Sequence, residues 1–191
     1  MYSFSHDEAA SLAVWVLDRA EPDDWKAHFG HMRDVARWST RNKQRAAVVI
    51  VPDSAFDRPD ALGRAELSRL SEAPGYDPFL ALVTPNVAAR GMVTMIKWLQ
   101  KRPRWELEPF GDVAGALDWL EQRRGEPLPG LRIMVERTLR QARDRGLRVA
   151  ILVSRPPSLA RRAGGLGGPS RARSARRASG ALACQGRGSR V

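Results

Sequence analysis

The chain has 191 residues, a single cysteine and 32 basic against 21 acidic side chains, for a formal net charge of +11. That length holds one domain with a sizeable core plus a tail, Cys184 alone excludes an internal disulfide, and no apolar run is long enough to predict a membrane-spanning helix. The opening Met-Tyr-Ser-Phe-Ser-His-Asp-Glu lacks the basic-then-apolar layout of a secretory leader, so a cytoplasmic protein is expected.

The first residues, His6 among them, read as a loose start. "LAVWVL" (12–17) is a short apolar run with β-branched and aromatic content, which predicts a buried strand. After "DRAEPDD" a long helix is expected. Trp25, Phe29, Met32 and Ala36 recur there at helical spacing, with Asp23 or Asp24 in the first turn. "AAVVIV" (46–51) predicts a second buried strand. The turn "PDSAFDRPD" then leads to a helix over 60–73 carrying Leu62, Leu67 and Leu70. "FLALV" (79–83) predicts a third strand. Asn86 is placed to cap a helix, "VAARGMVTMIKWLQ", with Val87, Gly91, Met95 and Trp98 on one side. "RWELEPF" alternates like an edge strand. In "GDVAGALDWLEQRR", Asp112 is placed to cap a helix that sets Val113, Ala116, Leu117 and Leu120 on one face.

The order β-α-β-α-β-α-β-α predicts an α/β domain: a four-stranded, largely parallel sheet covered by helices, with Trp15, Val49, Leu82 and Leu117 in a common interior. Residues 125–154 add a helix over 131–145, with Leu131, Val135 and Leu139 in step. "LRVAILV" (147–153) is then either a fifth strand or a continuation of that helix.

From Arg155 the core signals stop. Residues 155–191 hold nine arginines, no lysine and no acid, so the remainder carries 23 basic against 21 acidic side chains. The charge thus belongs to the tail, which has too little apolar content to offset its ordering entropy and is predicted to be disordered. Its Arg, Ala, Gly, Ser and Pro content is also what a shifted reading frame through GC-rich DNA yields. If the arm is genuine, it is the one place where the chain would attract nucleic acid.

Asp24, His28 and His31 share a flank of the long helix and could ligate a metal if a fourth group arrived from elsewhere; the plainer reading is a polar margin beside an apolar stripe. No G-x-S-x-G elbow, phosphate loop or G-x-G-x-x-G fingerprint follows a predicted strand, so no catalytic residue and no cofactor is assigned. Asp18 and Asp53 end strands as the acids of a receiver domain do, but the strand closing in Phe110 is not followed by that domain's lysine. Arg90, Lys97 and Lys101 form a basic flank on the third helix, either solvated or facing an acidic partner.

The segments "AAVVIVPDSAFDRPDALGRAEL", "FLALVTPNVAARGMVTMIKWL" and "WELEPFGDVAGALDWLEQ" resemble small bacterial STAS-type domains, the SpoIIAA-like group of anti-sigma-factor antagonists, over roughly residues 10–124. The resemblance implies a regulatory, non-enzymatic module that binds another protein, and the apolar runs give no reason to expect a membrane partner. In that family a serine in an Asp-Ser-Ser-Gly loop is phosphorylated by a partner kinase, and the added charge blocks docking. Asp53 and Ser54 match that motif here, while Ala55 and Phe56 stand in place of Ser-Gly. The expected partner surface comprises the 53–60 turn, with Asp53 and Arg58, and the flank of Arg90, Lys97 and Lys101. Without the resemblance, Ser54 is a turn serine between two aspartates. The competing expectations are a receiver-like or metal-dependent signalling domain, and a nucleic-acid binder acting through the tail.

Overall fold

The computed structural model describes residues 2–18, 21–52, 60–87 and 104–146. Five strands, β1 (Tyr2–Asp7), β2 (Leu12–Leu17), β3 (Ala47–Pro52), β4 (Phe79–Val83) and β5 (Glu106–Phe110), form one sheet in that order. β1 is antiparallel to β2, with Phe4 opposite Trp15, and the other pairs are parallel, with Trp15 opposite Ile50 and Ile50 opposite Leu82. The class is α/β as expected, but the sheet has five strands rather than four. The added strand is β1, where a loose start was expected.

Four helices are described: α1 (Pro22–Asn42), α2 (Ala61–Ser71), α3 (Val113–Arg124) and α4 (Pro129–Asp144). The first three open on an aspartate carboxylate. Asp24 accepts the Glu21 backbone N–H at 3.0 Å ahead of Pro22. Asp60 accepts from Gly63 N–H at 2.7 Å, and Asp112 from Gly115 N–H at 2.9 Å, which satisfies amides that would otherwise lack partners in a first turn.

The sheet divides the core in two, because successive side chains on a strand point to opposite faces. Val14, Val49, Ala81 and Phe79 face α3 and α4, where they meet Leu117, Leu120, Leu131, Val135 and Leu139. Ala13, Trp15, Val48 and Leu80 face α1 and α2, against Trp25, Phe29, Met32, Val35, Trp38 and Leu70. The expected common interior for Trp15, Val49 and Leu117 is therefore two interiors, with Trp15 across the sheet from the other pair. Leu82 is only partly buried. Because α4 completes one of these layers, the interior extends past Gly125. On α2 the expected stripe holds only in part: Leu70 is buried, Leu67 half-buried and Leu62 81% exposed.

Two arginines close the amino-terminal end of the sheet. Ala10, Arg45, Asp77 and Arg104 each lie two residues before a parallel strand. Arg45 donates to the carbonyl oxygens of Asp77 (Nε, 2.6 Å) and Arg104 (Nη2, 3.0 Å), and its Nη1 to Glu106 Oε1 at 2.7 Å. The same guanidinium lies 3.8 Å over the Phe79 ring. Arg124, at the end of α3, donates to the carbonyls of Arg45 (3.0 Å) and Ala10 (3.4 Å) and to Glu126 (2.6 Å), with its side chain 4% exposed. At the same end, the Asn42 side-chain amide donates to Glu8 O, Ala9 O and Ser11 Oγ, tying the β1–β2 turn to the last residue of α1.

The expected helix over 87–100 lies outside the described residues beyond Val87, as do the 147–153 segment and the arginine tail. Among the described residues, no helix is long and apolar enough to cross a membrane.

Candidate functional site

Asp53, Ser54, Arg58, Arg90, Lys97 and Lys101 all lie outside the described residues, so their side chains carry no geometry here. What the fold does supply is the frame from which they issue. β3 ends at Pro52, immediately before Asp53, and β4 ends at Val83, with Thr84–Pro85–Asn86 leading toward Arg90. The two strands are parallel neighbours, so both connections leave from the carboxyl end of the sheet, side by side at the spacing of paired strands, about 4.8 Å. Phe110 ends β5 at the same level. Its carbonyl accepts the Thr84 N–H at 2.9 Å, and Gly111–Asp112 then turn into α3. On the other side, Leu17 is paired with Pro52, so Asp18 and Asp53 are the next residues along two adjacent strands.

The histidine flank resolves differently from its sequence reading. Asp24 is engaged at the helix start, and among the described residues no group of three His, Cys, Asp or Glu is placed to hold a metal ion. The histidines instead meet β1. Tyr2, Phe4 and His6 alternate onto the α1 side of that strand, and all three histidines of the chain gather there. Phe4 stacks on His31 at 3.7 Å between ring centroids, and His6 stacks on Phe4 and on Trp38, each at 5.0 Å. His28 stands edge-on to Trp15 at 4.7 Å. His6, read from the sequence as an idle residue of a loose terminus, is thus part of an aromatic layer.

Tyr2 Oη lies 2.8 Å from His31 Nδ1 and 3.5 Å from His28 Nδ1. Both contacts are satisfied with neutral rings when one histidine Nδ1–H donates to the phenol oxygen and the phenol donates to the other histidine's Nδ1. Burial is the main force acting on all three groups. It pushes the Tyr2 phenol well above its ordinary range, with the Asp24 and Tyr76 charges adding to the effect. It brings His28 down to about 4, with His31 contributing. It lowers His31 as well, against the opposing pull of Asp34 and with some help from His6. The cluster is therefore uncharged at neutral pH. The nearby Trp15 Nε1 is buried and has no hydrogen-bond partner among the described residues.

Sequence reasoning missed β1 and its aromatic side. The signal was present as strict alternation, Tyr-Ser-Phe-Ser-His-Asp, which has period two. Of the six tryptophans, Trp15, Trp25, Trp38 and Trp105 are core, Trp119 packs at the core's margin against Phe110, and Trp98 is outside the described residues. In comparisons with known proteins, the chain matches no family model, no curated protein and no solved structure.

Proposed function

We propose that this protein is a STAS-like regulatory module that binds another protein without catalysing a reaction, using the carboxyl end of its sheet. One observation carries the reading: β3 and β4 are parallel neighbours, so the Asp53–Ser54 turn and the segment with Arg90, Lys97 and Lys101 start side by side from one end of the fold. A short acidic turn with a modifiable serine and a basic flank, far apart in sequence, thereby share an origin. The strand order adds support. From β2 to β5 the strands advance in one direction, and α1 and α2 pack on the same face. Open α/β sheets place small-molecule crevices where strand order reverses. A one-way sheet favours docking on the surface over chemistry in a cleft.

The test is photo-cross-linking in the native host, with the cross-linker placed at Arg58 or Lys97 and, as a control, at Arg137 on α4. The expected result is a discrete protein adduct from the first two positions only, lost in Ser54→Asp and kept in Ser54→Ala. Equal capture from Arg137, or capture indifferent to Ser54→Asp, overturns the proposal.

A second reading has one observation in its favour. The pairing of Leu17 with Pro52 makes Asp18 and Asp53 the residues that follow the ends of two adjacent strands, where a receiver-like phosphotransfer site would carry its acids. Against it stands the strand order, since doubly wound receiver-type sheets run 2-1-3-4-5. Labelling by acetyl phosphate that disappears in Asp53→Asn would transfer the assignment to this reading.

A further inference from the structure

The two edges of the sheet are protected unequally. β5 carries Glu106, Glu108 and Pro109, charges and an imino residue of the kind that discourage further pairing. β1, Tyr-Ser-Phe-Ser-His-Asp, has neither proline nor lysine, and among the described residues it pairs only with β2. Beside it, against α4, lies an open groove of about 630 Å³ lined by Ser5, His6, Asp7, Ile133, Met134 and Arg137. Ile133, on the groove wall, is 59% exposed.

α4 delivers the chain to this edge. It runs opposite to β1: Gly130 lies beside Leu12, the partner of Asp7, then Thr138 Oγ1 bonds Ser5 Oγ at 2.8 Å, and Arg145 Nη1 reaches Ser3 Oγ at 3.5 Å. The helix stops there. Gly146 adopts φ +85°, a left-handed conformation that glycine enters without strain, and donates its N–H to Arg143 O at 2.8 Å. The next seven residues are Leu-Arg-Val-Ala-Ile-Leu-Val, apolar and rich in β-branched side chains, against the six of β1. Extended at roughly 3.3 Å per residue, they span about 20 Å, enough to run from the Ser3 end of β1 to the groove at Asp7.

We propose that residues 147–153 pair with the outer edge of β1, parallel to it, as a sixth strand of this sheet. In that pairing the set Leu147, Val149, Ile151 and Val153, apolar throughout, suits the α4 side with its exposed Ile133 and Met134 wall. Arg148, Ala150 and Leu152 fall on the side of His6. The occupant of the unguarded edge is thus the chain itself, and neither a second copy nor a foreign peptide is needed to fill it.

Hydrogen exchange of the full chain tests this. In the double variant Val149→Pro, Ile151→Pro, the β1 amides that point away from β2 should exchange at least about tenfold faster than in the parent chain, while the tail variant Ala175→Pro leaves them unchanged. Unaltered β1 exchange in the double variant overturns the proposal, and so does protection that fades on dilution, which would assign the edge to a second copy. A measurement that introduces no proline guards against a variant that fails to fold. With Cys184→Ser as background, His6→Cys combined with Ala150→Cys or Leu152→Cys should form an intramolecular disulfide in one of the two pairings. No disulfide in either, or disulfides only between chains, also overturns the proposal.

Discussion

At the amino-terminal end of the parallel strands, two guanidinium groups reach across the sheet and bind backbone carbonyls ahead of all four strands. At the carboxyl end Asp112 caps α3, Thr84 N–H bonds Phe110 O across β4 and β5, and Asn86 N–H reaches Thr84 Oγ1 at 3.3 Å. One end is held by charged hydrogen bonds that span the sheet, while those described at the other are a helix cap, a turn and one bond between neighbouring strands. The contrast separates two duties. Arg45 and Arg124 anchor the strand alignment at the end away from Pro52 and Val83. That is the usual division in parallel α/β sheets, where variable connections at the carboxyl end carry function.

The comparison yields graded expectations. Arg124→Ala should lower the unfolding free energy by about 3 kcal/mol, since it leaves the Ala10 and Arg45 carbonyls without their donor in a nearly closed site. Urea denaturation measures this, and a loss under about 1 kcal/mol would mean that the amino end is not the secured one. The histidine layer supplies a pH-dependent term that guanidinium groups do not, because they do not titrate in the working range. His28 is held near 4 in the folded chain against about 6.5 unfolded, so the unfolded chain takes up the proton first. Its contribution is complete above pH 6.5, declines as pH falls toward 4, and amounts to at most about 3 kcal/mol. Denaturation curves across that window should show the decline in the parent chain and a flatter profile in His28→Gln. A profile identical in both would remove His28 as the cause.

Smaller effects belong to the carboxyl end. Asp112→Ala should cost about 1 kcal/mol, the ordinary value of a lost helix cap; thermal melts resolve it, and a loss as large as that of Arg124→Ala would erase the contrast between the ends. Ser54→Asp should change stability by no more than about 0.5 kcal/mol, the range of surface substitutions, while abolishing cross-linking from Arg58. A marked drop in melting temperature would make Ser54 a structural residue and dissolve the functional reading of its turn.

Much of the architecture was legible because burial on both faces leaves no room for polar alternation. β2 and β4 appear in the sequence as their bare apolar runs. α3 was legible down to its cap and its buried positions, since Asp112, Val113, Ala116, Leu117 and Leu120 act within a few residues of one another. β1 was not, because an edge strand alternates with serines and an aspartate and imitates a polar terminus. Leu62 was misplaced because its helix has one side in solvent along most of its length. The meeting of Tyr2 with His28 and His31 could not be read at all: it depends on β1 doubling back beside β2 and crossing α1, contacts between residues 26 and 29 positions apart. For the candidate site the sequence named residues, and the fold contributes only the neighbouring strands from which they depart.

β1 is riveted to α1 near both of its ends. Tyr2 and Phe4 engage His31 at one end, and at the other the Asn42 amide grips the turn that β1 enters. Strand and helix therefore form one mechanical unit. Ser5 and Ser3 of the same strand also bond Thr138 of α4 and Arg145 just beyond it, so a tug on the first strand would be felt on both faces of the molecule at once.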